Sequence, residues 1–126
     1  MRAMVLLRHD LPGGDFHFDW LIDAGAGRGL ITFRLGQRFD LGRQVDLGDR
    51  RSFVAARLAD HRRRYLDFEG PISGGRGRVV RLAHGSVRVL AEQADRLGLV
   101  GSLGSWSGVL VGCRGQGDAW RFEILG

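Results

Sequence analysis

His9, His17 and Asp19 are the residues of this chain whose types and spacing are best suited to chemistry. His17 and Asp19 stand two apart in a run, His17 to Ile22, that alternates polar or small residues with large apolar ones. A strand puts both side chains on one face and turns Phe18, Trp20 and Ile22 toward a core. His9 closes a short apolar run, Ala3 to Leu7, and Pro12-Gly13-Gly14 is a turn that folds one run back beside the other. His9 then comes next to His17 and Asp19. Two imidazoles and one carboxylate from adjacent strands, with coordination positions left open, suit a divalent transition metal used for chemistry. A histidine among aromatics is also often a satisfied core residue. Against that, His9, His17 and His61 all sit in polar clusters beside aspartates, and only His84 stands alone in an expected turn. His17-x-Asp19 with a distant histidine also fits the facial triad of iron(II) oxygenases, a pattern that leaves His9-Asp10 without a role.

The elements that must position these residues read as short strands between glycine-rich turns, with 21 glycines spread along the chain. Leu30 to Leu35 is a strand in which Leu30, Thr32 and Arg34 share one face, so that Arg34 points to the side of the His/Asp cluster. Gly36 to Arg51 has no period and reads as a loop, and Phe53 to Ala59 is ambiguous between strand and helix. In Asp60-His61-Arg62-Arg63-Arg64-Tyr65, one helical turn from His61 to Tyr65 sets the imidazole and the phenol on one face, while the three arginines read as a solvated basic turn. Pro71 to Gly77 is a tight glycine loop, a weak phosphate-cradle signal without the lysine and Ser/Thr of a P-loop. Arg78 to Leu82 and Ser86 to Leu90 flank Ala83-His84-Gly85 as an expected hairpin, and Ala91 to Arg96 is expected to be a second helical turn. Three strands, Leu97 to Leu103, Trp106 to Cys113 and Trp120 to Leu125, finish the chain. The expected fold is therefore mainly β, a compact antiparallel β-barrel with one or two short helical turns, formed by residues 1–126 as a single domain.

Composition bounds the partners. The formal charge is +5 and the pI about 11.1, which points to anionic partners, nucleic acid first. All 19 basic residues are arginine, the side chain best matched to phosphate oxygens. Cys113 is the only cysteine, so no disulfide forms within the chain, and its neighbours Leu110 and Val111 suggest a small buried hydrophobe. The apolar start is too short for a signal-peptide core or a membrane span, and a cytoplasmic protein without membrane contact is expected.

Taken together, His9-Asp10, His17-Phe18-Asp19-Trp20, Asp60-His61 with Tyr65, and Asp67-Phe68-Glu69-Gly70-Pro71-Ile72 with its glycine loop resemble, in order, the motif series of the 3'-phosphoesterase domain of bacterial DNA ligase D. The resemblance covers most of residues 3–82. It implies a manganese-dependent β-barrel that trims the 3' ends of DNA by removing a terminal ribonucleoside and a 3'-phosphate, beside a separate ligase or polymerase; zinc or cobalt would suit the same ligands. By position it implies His9, His17 and Asp19 as metal ligands, His61 as the group meeting the scissile phosphate and Tyr65 as its orienting neighbour. Arg34 stands where the family has a phosphate-binding lysine, and Arg51 and Arg57 are the candidates for a further family arginine. Leu21 stands in place of another phosphate-binding arginine, the gap between His9 and His17 is longer than in the family, and the loop after Gly70 is shorter. These departures set beside the enzyme a second expectation, an inactive barrel that binds nucleic-acid ends or a repair partner.

Overall fold

The computed structural model describes residues 1–25, 27–41 and 51–125. Nine strands form one antiparallel sheet: β1 (Arg2–Asp10), β2 (Phe16–Ile22), β3 (Leu30–Leu35), β4 (Ser52–His61), β5 (Gly70–Pro71), β6 (Arg78–Gln93), β7 (Arg96–Leu103), β8 (Trp106–Arg114) and β9 (Ala119–Leu125). Their order is β1-β2-β3-β4-β9-β8-β7-β6-β5, and β6 also pairs with β1, so eight strands close a barrel and β5 lies outside the ring. Among the described residues the one helical element is a 3-10 turn, Arg63–Leu66. Among the described residues no helix is long and apolar enough to cross a membrane.

The barrel interior is filled by aromatic rings. Trp20 lies 4.9 Å from Phe39 and 5.1 Å from Phe122, Phe39 stacks on Phe53, and the Trp20 indole N–H donates to the Met4 sulfur. Such packing leaves no room for a ligand inside, as expected for an eight-stranded ring. The outer surface is uneven, and the sequence pattern says where. On β9, Trp120, Phe122 and Ile124 are buried while Arg121, Glu123 and Leu125 are exposed, the alternation of a strand with one wet face. On β1, Met4 to Leu7 are all buried, and on β2 Asp19 to Ile22 are too. Continuous burial requires cover on both faces. It comes from the excursion between β4 and β6, whose Tyr65, Leu66, Phe68 and Ile72 pack on the outward-facing Val5, Leu7, Leu21, Leu30 and Val79.

Several expectations change in the structure. Ala83-His84-Gly85 is not a turn: β6 runs unbroken for 16 residues, bulged at Leu82 and Leu90 where the register with β1 and β7 slips. Bulges bend a strand, which lets one strand wrap two neighbours. Gly85 serves close approach, since a Cβ there would overlap the Ser102 carbonyl. Ala91–Arg96 is likewise no helix but the tip of the β6–β7 hairpin, with Gln93 paired to Arg96. Phe53–Ala59 resolves as strand. Cys113 is exposed, because Leu110 and Gly112 occupy the inward phase of β8 and Cys113 falls on the other. The expected loop Gly36–Arg51 lies largely outside the described residues.

Candidate functional site

The β1–β2 ladder sets His9 directly opposite His17 and Leu7 opposite Asp19. All three polar residues face outward, on the same side as Val5, Leu7 and Leu21, where the β4–β6 excursion shields them. One ligand atom from each of His9, His17 and Asp19 lies within 4.8 Å of the others. The His9 and His17 rings meet edge to face with centroids 4.8 Å apart. His9 Nδ1 is 3.5 Å from Asp19 Oδ2, and His17 Nδ1 is 3.0 Å from Asp19 Oδ1. The Asp19 side chain is only 3% exposed.

Hydrogen bonding fixes how these groups present their lone pairs. His9 Nε2 is 2.8 Å from the Arg76 carbonyl, which can only accept, so Nε2–H donates. In the neutral ring Nδ1 is then an unprotonated lone pair turned toward Asp19, the outer-shell arrangement that commonly orients ligating histidines. Neither nitrogen of His17 nor Oδ1 of Asp19 makes a hydrogen bond, although all three atoms are buried. The 3.0 Å His17–Asp19 approach is an ion-pair contact poorly aligned for a hydrogen bond, and it leaves His17 Nε2 with no partner. Burial holds the His17 pKa below its ordinary value; Asp19 pulls it upward, while Arg34 and His9 add to the lowering. His17 is accordingly a neutral imidazole at neutral pH. Two imidazoles and a carboxylate are a donor set that could hold a first-row divalent ion.

Two members of the cluster, His9 and Asp19 but not His17, reach the wall of a cavity of about 470 Å³ between the barrel and the excursion. His9 and Asp19 line one side, and His61, Arg62, Arg64 and Tyr65 line the other, with Arg76 on the glycine loop. The end of β4 positions His61, whose Nδ1–H donates to the Ala59 carbonyl 3.0 Å away. The 3-10 turn brings the Tyr65 ring edge-on to the imidazole at 5.9 Å. No family model matches the chain, and no curated protein does.

Arg34 sits opposite Asp19 in the β2–β3 ladder, exposed, with its charge felt at His17. Arg34, Arg51 and Arg57 are not among the residues that line the cavity. Arg51 is exposed just before β4, and Arg57 lies over the Phe33 ring and pairs with Asp60 at 3.4 Å. Leu21 is fully buried under the excursion. Sequence reasoning missed Arg62, Arg64 and Arg76 as cavity residues; the signal available was a histidine followed at once by arginines, which alone does not separate a wall from a solvated turn.

Two contacts hold the excursion down. Arg63 makes a two-pronged ion pair with the buried Asp23, both bonds 2.8 Å, and Asp23 also accepts from the Gly25 amide. The Arg63 hydrogen bonds depress the Asp23 pKa from 3.8 to about 2. A depressed carboxylate stabilises the fold above its unfolded pKa and loses that contribution as pH falls through its folded one. Asp23→Asn is therefore expected to lower stability by roughly 1–2 kcal/mol at pH 7, with the difference from wild type shrinking between pH 4 and pH 2 in acid-titrated melts. A constant difference across that window would assign the effect to packing instead.

The second contact is the glycine loop itself. Ile72 N–H donates to the Gly77 carbonyl, and Gly77, at φ +93°, lies so close to β1 that a Cβ would overlap the Asp10 carbonyl oxygen. This approach delivers the neighbouring Arg76 carbonyl to His9. Gly77→Ala is expected to push the loop away, free the His9 ring and weaken metal binding by roughly 10- to 100-fold, measured by calorimetric titration with manganese. Unchanged affinity would show that the loop does not set the His9 ring.

Proposed function

We propose that this protein is a metal-dependent phosphoesterase acting on the 3' ends of nucleic acid in DNA repair, removing a 3'-phosphate or a terminal ribonucleoside. The observation that carries the reading is the set of buried donor atoms without hydrogen bonds, both His17 nitrogens and Asp19 Oδ1, next to the oriented lone pair of His9. Leaving such groups unsatisfied costs about 1–3 kcal/mol each, and a cation among them relieves that cost. The cavity beside them, rich in arginine and carrying a second histidine, supports an anionic substrate.

In this reading His9, His17 and Asp19 hold the ion, manganese by the resemblance, with zinc or cobalt suited to the same donors. When bound, the ion supplies Lewis-acid polarisation of a phosphate oxygen. Arg34, beside Asp19, offsets charge gathering on the phosphate. As water's oxygen bonds to phosphorus and the bond to the 3'-oxygen breaks, His61 as imidazolium gives its Nε2 proton to that leaving oxygen, and the proton shed by the attacking water passes to solvent, from which the ring is reprotonated. The Ala59 carbonyl, holding Nδ1–H, keeps the ring in place, and Tyr65 flanks it. The test is release of inorganic phosphate from a 3'-phosphorylated oligonucleotide, expected with added manganese and absent in chelator.

One observation favours a second reading, an end-binding barrel without turnover: Leu21 occupies the position of a family phosphate ligand and is sealed in apolar packing. Binding of 3'-phosphorylated strands with no phosphate release in manganese, zinc or cobalt would decide for it.

A further inference from the structure

We infer that Arg62, Arg64 and Arg76 form a second anion site in the cavity, one that takes the backbone phosphates inward of the strand terminus, so that the ligand is a nucleic-acid strand end and not a free phosphomonoester. The inference rests on the phosphoesterase reading of the same cavity and adds to it the class of substrate.

Several arginines of this chain are already neutralised. Arg8, Arg28, Arg38, Arg63 and Arg121 each sit against a carboxylate. In the run Arg62-Arg63-Arg64 the middle residue is committed to Asp23, and the flanking two line the cavity. Arg62 has no side-chain hydrogen bond or ion pair among the described residues. Arg64 lies over the Phe68 ring at 4.5 Å, which orients its guanidinium without cancelling its charge. Arg76 donates Nε–H to the Ser73 carbonyl, a neutral partner. Of the acidic residues in the lining, Asp19 faces the imidazoles and Asp60 faces Arg57. Three guanidinium charges thus converge on one space without a carboxylate opposite them.

A terminal phosphate does not need all of them. One guanidinium fork already matches two oxygens of a single phosphate, so three such cations lining one cavity call for more than one anion on the same molecule. A nucleic-acid strand supplies one per nucleotide. The cavity volume of about 470 Å³ is that of a site for a compact ligand, with room for an end nucleotide. Arginine's fork, matched to two phosphate oxygens at once, is the side chain such a groove uses.

The test is fluorescence anisotropy with a short single-stranded oligonucleotide ending in a 3'-hydroxyl, so that no turnover intervenes. For wild type, replacing the linkages nearest the 3' end by uncharged methylphosphonates is expected to weaken binding at least tenfold. The variant carrying Arg62→Ala, Arg64→Ala and Arg76→Ala is expected to bind the native strand at least tenfold more weakly and to be indifferent to the neutral linkages. Its slope of log affinity against log salt should fall by roughly 2, about 0.7 per lost phosphate contact on a single strand. The exposed Arg62→Ala alone should take about one such step, which keeps the test open if the triple variant folds poorly. Wild-type affinity and slope in both variants would overturn the inference while leaving phosphate release intact. Strand binding that tracks the three arginines, with no phosphate release by wild type, would overturn the enzymatic reading and leave the anion site.

Discussion

His17→Ala is expected to abolish manganese-dependent phosphate release and, with it, stabilisation of the fold by metal. In wild type, manganese at a hundredfold excess over its dissociation constant should add about 2.7 kcal/mol to the unfolding free energy and raise the melting temperature by several degrees. His17 contributes a neutral, desolvated imidazole whose two nitrogens have no hydrogen bond in the protein. Without it the ion keeps only His9 and Asp19, and its affinity should fall by more than about 100-fold, beyond the loss that follows from disturbing an outer-shell partner. The metal-free variant should be nearly as stable as metal-free wild type, within about 1 kcal/mol. The cavity left by the ring costs stability, but removing buried groups without partners offsets that cost. This combination separates a ligand from a core histidine: a satisfied core residue would lower stability with or without metal. The same metal-induced shift in variant and wild type would remove His17 from the site.

How much of this was legible depended on whether a residue's partner lies nearby in sequence. The His17-x-Asp19 spacing, with Phe18 and Trp20 between and after, fixes a strand face from period alone, and Pro12-Gly13-Gly14 makes the hairpin that sets His9 opposite His17. Arg34 was legible for the same reason, since β3 follows by another short connection and sets it opposite Asp19. The β6 strand was not legible. Glycine marks turns and also close strand contacts, and nothing local to Ala83-His84-Gly85 tells that Ser102 packs against Gly85. The role of the glycine loop was hidden likewise: Gly77 is fitted to Asp10, distant in the chain, and only the fold brings the Arg76 carbonyl to His9. The run Arg62-Arg63-Arg64 divides its work between Asp23 and the cavity because a 3-10 turn fans successive side chains apart, a division that composition cannot express.

The position of the site follows from the same packing. The interior is filled by Trp20, Phe33, Phe39, Phe53 and Phe122, and the His/Asp cluster stands on the outer wall. An outer wall normally faces bulk water, where a carboxylate and imidazoles are well solvated and bind cations weakly. The excursion changes that environment. By covering Val5, Leu7 and Leu21 it draws the neighbouring Asp19 out of solvent, and the Arg63–Asp23 clamp holds the cover in place.

Leu21→Arg, which writes the arginine of the resembling family into this chain, is expected to destabilise the protein by roughly 3–5 kcal/mol and not to raise activity. On spacing alone the substitution restores a phosphate contact, because Leu21 shares its strand face with His17 and Asp19. The structure places Leu21 elsewhere in energetic terms: it is fully buried, packed with Val5, Leu7, Leu30 and Val79, and it is not among the residues that line the cavity. A guanidinium there loses its water, while the nearest carboxylate on its strand, Asp19, already faces two imidazoles. To reach solvent it would have to lift Tyr65, Leu66 and Phe68 from the barrel and carry His61 out of register with the cluster. Urea unfolding gives the first readout and phosphate release the second. A drop in stability with loss of release agrees with a position used for packing. Wild-type stability with higher turnover would mean that the excursion opens readily and that the cavity extends over Leu21, a wider and more family-like site. The buried leucine and the three cavity arginines thus divide the two sides of the cover: Leu21 packs beneath it, and the cations stand on it, Arg62 and Arg64 at the start of the 3-10 turn and Arg76 on the glycine loop.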